Sequence, residues 1–207
     1  MTLKQATLLP LIGLLAACAS DGGGRGSGIT TVVQGNVDSV QTAALPGRAA
    51  TEGIHVTVEG SSAQGETDAN GRFSLRGDFD GRVTLLFQRP SDGITAEVSI
   101  NVPAGGTLSM TNVRIDNLHG VAIPESQTVD FTCMITAANC IAQTLTLASV
   151  GTNDLDRYTL RLDTSSVQDI HGNLLACGDI RAGQRATIHG MVNPDDSFGE
   201  AVVEVEG

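Results

Sequence analysis

Tryptophan is missing from this 207-residue chain, tyrosine occurs once and phenylalanine five times. So few rings leave no platform for stacking bases and no aromatic cradle for a sugar. Lysine is almost as scarce, with Lys4 alone beside 11 arginines and against 23 acidic residues. A formal charge of −11 argues against phosphate-rich partners, so nucleic acid is not expected. Tight cysteine pairs are also lacking. Without a C-x-x-C the chain has no ordinary zinc spacing. No G-x-S-x-G elbow, H-E-x-x-H pair or P-loop occurs either. His55, His119, His171 and His189 stand apart in the sequence. The first and last sit at polar positions of alternating segments, the middle two beside turn glycines. The acidic pairs Asp78/Asp80 and Asp195/Asp196 read as solvated turns rather than paired catalytic carboxylates. Neither catalytic residues, cofactor nor metal ligands are expected.

No apolar run near the N-terminus is long enough to span a bilayer. The stretch Ala6–Ala17 has 12 residues and contains Pro10, against the roughly 20 that a spanning helix needs. A short apolar run after a positive charge, closed by small residues, has the shape of a secretory signal. This one ends Leu15-Ala16-Ala17-Cys18, and that ending resembles the bacterial lipoprotein signal. The resemblance implies cleavage before Cys18, acylation of its thiol and amine, and a place at the outer membrane, since Ala19 rather than Asp follows. Two or more acyl chains anchor stably where one does not, at about 0.8 kcal/mol per buried methylene. Residues 1–17 then form the signal, and 18–28, rich in Gly and Ser, a flexible tether. Removing Lys4 leaves 11 arginines against 23 acids, a formal charge of −12.

What is abundant is β structure. The 25 glycines and the many Val, Thr and Ile indicate turn-rich strands. Ile54, Val56 and Val58 alternate with polar residues, as do Phe73 and Leu75, then Val83, Leu85 and Phe87, then Ala96, Val98, Ile100 and Val102, then Val113 and Ile115. Period two with frequent turns predicts an antiparallel sandwich over 29–117. The "GIHVTV" and "TDANGRF" phrases (Gly53–Val58 and Thr67–Phe73) resemble the carboxypeptidase-regulatory-like, or transthyretin-like, domain. That resemblance implies a sandwich that serves as spacer, stabiliser or binding module and carries no catalytic residue. An EF-hand loop aligned on Gly71 would need a bidentate Glu at Gly77. Asp68, Asn70 and Gly71 are therefore turn formers.

Residues 118–126, with Gly and Pro and little alternation, read as a linker. Five further strand-like phrases, "TVDFTCMIT", "QTLTLASV", "RYTLRLD", "QRATIHGMV" and "GEAVVEVEG", fill 127–207. Five short strands suit a small closed OB-like barrel, which removes exposed edges. The phrase around Cys177, Asp179, Ile180, Gly183, Ala186, Ile188, Gly190 and Ala201 resembles a barrel family of bacterial envelope proteins with no established activity. The fold expected overall is all-β, a transthyretin/Ig-like sandwich followed by an OB-like barrel.

With Cys18 acylated, Cys133, Cys140 and Cys177 remain. Export places them in an oxidising compartment. Cys133 alternates with Phe131 and Ile135 on an apolar face and is expected as a buried thiol. Cys140 and Cys177 stand at loop–strand junctions, and a bridge between them closes the longer loop. That pairing is expected over Cys133–Cys140. The function that follows is a membrane-anchored, non-enzymatic scaffold or interaction module with an envelope protein as partner. A small-ligand or metal carrier using the barrel mouth is the alternative.

Overall fold

The computed structural model describes residues 29–42, 50–150, 157–193 and 198–207. Strands make up nearly all of its regular structure, and no α-helix occurs among the described residues. In chain order they are β1 (Thr31–Gln41), β2 (His55–Val58), β3 (Gln64–Glu66), β4 (Arg72–Gly77), β5 (Gly81–Arg89), β6 (Ile94–Val102) and β7 (Thr107–Asp116). Then follow β8 (Val121–Ile123), β9 (Ser126–Asn139), β10 (Thr144–Ser149), β11 (Arg157–Arg161), β12 (Ser166–Asp169), β13 (Arg185–Val192) and β14 (Phe198–Val205). The all-β expectation is met.

The first half is sandwich-like. One ladder runs β4-β1-β7 and another β3-β2-β5-β6, and β8 pairs with both β7 and β6. Alternation set the inward faces, because successive side chains point to opposite sides of a pleated strand. Ile54, Val56, Leu75, Leu85, Phe87 and Leu108 are fully buried. Phe73 of β4 meets Phe87 of β5 edge to face, with centroids 5.6 Å apart, a favoured geometry for two rings. The sheet is mixed rather than antiparallel throughout. β1 runs parallel to β7, β6 to β8 and β12 to β14. A parallel pair needs a long connection, and the chain between β1 and β7 supplies one.

The second half rolls up around β9. One edge of this 14-residue strand holds β13, and its other edge holds β7 first and β10 further along. The order β11-β10-β9-β13-β14-β12 results. Inside the roll, Phe131 lies 5.3 Å from Tyr158 and 6.1 Å from Phe198, and Tyr158 lies 5.9 Å from Phe198. Rings from β9, β11 and β14 therefore bring the ends of the roll together. No ladder joins β11 to β14 among the described residues, so the sheet is not closed as the barrel expectation required. The reason lies on the free edge of β14. β12 takes Val202–Val205 of that edge, and the Thr164 hydroxyl donates to the Gly199 carbonyl at 3.3 Å. One hydrophobic cluster extends through both halves. The stretch expected as a bare linker carries β8, whose Ala122 is buried.

Candidate functional site

The sheet has an outward face as well as a core. Strands β1, β7, β9, β13, β14 and β12 are consecutive neighbours, and their registers align outward-facing residues in rows. One row is Thr107, Asp130, His189, Val202 and Ser166, on β7, β9, β13, β14 and β12. A second is Gln34, Ser109, Thr128 and Met191, on β1, β7, β9 and β13. Residues 163–166 and Glu200 adjoin these rows. The result is an open groove of about 1080 Å³ over these rows. Six strands at about 4.8 Å spacing give it a length of roughly 24 Å.

Its lining mixes apolar surface with hydroxyls and three carboxylates. Asp130 and His189 pair at 3.0 Å, each about half exposed. Asp163 accepts from Arg161 at 2.5 and 3.0 Å, and that guanidinium holds the Asp163 carboxyl below its ordinary value. The Glu200 carboxylate, exposed on β14, has no hydrogen bond or ion pair among the described residues. Gln34 donates to the Ser109 hydroxyl at 3.0 Å. Ser165 Oγ is screened from solvent and has no hydrogen-bond partner among the described residues. Met191 and Val202 are 43% and 37% exposed, the only aliphatic relief among the groove residues just named.

Of the residues singled out from the sequence, His189, Gly190 and Ala201 line the groove. Cys18, Asp195 and Asp196 lie outside the described residues. Cys140 and Cys177 are joined, with Cα atoms 5.6 Å apart, as expected from their junction positions. The bond ties the tip of the β9–β10 hairpin to the 3-10 turn Cys177–Asp179. Cys133 is a buried thiol, and burial pushes its pKa up to about 12. His55 faces Glu66 at 3.8 Å and His119 faces Asp116 at 2.8 Å, both imidazoles on the surface. Asp68 Oδ1 accepts the backbone N–H of Asn70 and of Arg72, each at 2.8 Å, while Gly71 takes φ +72°. That is turn chemistry.

Asp169 builds the same turn in the second half. It accepts from the N–H of His171 and Asn173 at 2.8 and 2.9 Å, with Gly172 at φ +82°. The turn at Asp68 was legible in the sequence, and the groove was not. The signal for the groove was the polar side of the alternation in β9, β13 and β14, which becomes a surface only when the registers are known. In the roll itself, where a barrel-mouth ligand would sit, the rings of Phe131, Tyr158 and Phe198 occupy the interior. Compared with family models, curated proteins and solved structures, the chain finds no match, so the site's meaning rests on its own geometry.

Proposed function

We propose that the chain is a lipid-anchored envelope protein whose body is a non-enzymatic interaction module. In this reading Cys18 carries the acyl chains, residues 18–28 tether the body at the outer membrane, and the groove receives a protein partner. The lipoprotein-like Leu15–Cys18 ending supports the anchor, and the transthyretin-like phrases of 53–73 fit a binding or spacer domain. The observation that carries the function is the groove's shape. It is open and spans six strands, and it is built on hydrogen-bonded strands that hold its floor rigid. Small-molecule sites are concave and enclose most of their ligand, whereas this surface is open and spread over six strands. The carrier alternative is weakened by the rings that fill the roll.

Two measurements test the reading. Mass spectrometry of the mature N-terminus should find Cys18 diacylglyceryl-modified, and Cys18→Ser should leave the protein unacylated. An unmodified mature terminus in the wild type refutes the anchor. A photo-crosslinking residue at Thr128, in the groove, should capture a discrete protein in cells, and one at Ser99, on exposed β6, should not. Equal labelling from both positions refutes the interaction surface.

A further inference from the structure

Resting on that reading, we infer that the groove takes an extended, positively charged polypeptide segment of its partner. Three independent properties of the surface lead there. The first is length. A floor of roughly 24 Å accommodates about seven residues of extended chain at 3.3 Å each, far more than a compact metabolite covers.

The second is charge. Asp130, Asp163 and Glu200 line the groove and no Lys or Arg does. Arg161 is spent on Asp163, and His189 faces Asp130. Glu200 is unmatched among the described residues, and the chain as a whole carries a formal charge of −11. Such a field accelerates encounter with a cation and repels an anion or a second copy of this chain.

The third is the mixture of small hydroxyls with two aliphatic spots. Thr107, Ser109, Thr128 and Ser166 can exchange hydrogen bonds with a partner backbone. Met191 and Val202 lie on the neighbouring strands β13 and β14 and are partly exposed. They offer the aliphatic stem of a lysine or arginine a place to lie while its head reaches a carboxylate. A basic side chain suits this combination better than a purely apolar or a purely polar one.

The test uses the full chain in detergent and a fluorescent probe peptide of alternating lysine and serine, about eight residues long to match the floor. Saturable binding that weakens with added salt is expected. Asp130→Asn with Glu200→Gln should weaken it by about tenfold or more, with thermal unfolding unchanged because both side chains are on the surface. Equal binding of an all-serine peptide overturns the inference. So does unchanged binding by the double variant, or spermidine binding as tightly as the peptide. The crosslink at Thr128 separates this inference from the reading beneath it. A partner captured equally in the double variant overturns the charge assignment and leaves the interaction module standing. No capture at Thr128, with peptide binding intact and carboxylate-dependent, overturns the interaction module and upholds the groove's preference for basic chains.

Discussion

The loop before β2 in the first half and the β9–β10 tip with the turn at Cys177–Asp179 in the second face the same task, fastening irregular chain to the strands beside it. The first half does it with hydrogen bonds. Buried Thr67 donates its hydroxyl proton to the Thr51 carbonyl at 2.6 Å and accepts from the Ile54 N–H at 2.8 Å. Arg89 donates to the Ala50 and Glu52 carbonyls at 2.8 and 2.6 Å while pairing with Asp92. The second half does it with the Cys140–Cys177 bond and a trio of rings. Both halves nevertheless use one kind of tight turn, at Asp68 and at Asp169. Local turns are thus solved alike and irregular chain differently. Hydrogen-bonded fastening can open and reform, and covalent fastening answers to redox conditions.

The largest expected effect tests the covalent side. Replacing both Cys140 and Cys177 with Ser should cost about 4 kcal/mol, the chain-entropy value for a loop of this size. Tyr158 is the only tyrosine and tryptophan is absent, so intrinsic fluorescence in a urea titration reports on the rolled half. An unchanged midpoint would show that the bond contributes no stability and would dissolve the contrast between the halves.

Thr67→Val tests the hydrogen-bonded side at nearly constant shape. It strips a partner from the Ile54 N–H and the Thr51 carbonyl, for a loss of about 1–3 kcal/mol. Thermal unfolding followed by circular dichroism measures it, and a loss below that range would mean the loop is held elsewhere.

A smaller effect is expected in acid, and it probes what the halves share. The backbone N–H of Arg72 lowers the Asp68 pKa from 3.8, and the side-chain amide of Asn173 leads the same shift at Asp169. A carboxylate with a lowered folded pKa adds stability above its unfolded value and loses it as pH falls through the folded one. Melting temperature should therefore decline below about pH 4. Asp68→Asn together with Asp169→Asn should flatten that decline, and an identical acid limb in the double variant would rule these turns out as its source.

The smallest expected change is none at all. Cys133 is buried and its thiol is pushed up to about 12, so the nucleophilic thiolate is suppressed. Iodoacetamide should leave it unlabelled in the native protein and label it in denaturant, as read by mass spectrometry. Labelling in the native state at the denatured rate would mean that β9 opens freely.

Inward faces were legible in the sequence because a period of two needs only three or four residues to declare itself. Phe131, Cys133 and Ile135 are buried as their spacing required. The disulfide was legible from loop positions. Short strands were not. β8 buries only Ala122, and β12 only Val167, so neither contains a period to detect. Missing β12 led directly to the expectation of a closed barrel, since it occupies the edge of β14 that closure would have needed. The groove was illegible for a different reason. Thr107, Asp130 and Ser166 are far apart in sequence and become neighbours only through successive registers.

The strand directions have a topological consequence. β1 is parallel to β7, and antiparallel steps then lead through β9 and β13 to β14. β14 therefore runs opposite to β1, and the start of β1 lies level with the finish of β14. Four spacings across the sheet separate them by about 19 Å, a gap that roughly six extended residues bridge. Such a bridge from Val205 to Thr31 would give a circular permutant, with new ends opened at a surface tip such as Ile141. The order in which the strands are synthesised could then be varied while the order in which they pair is kept.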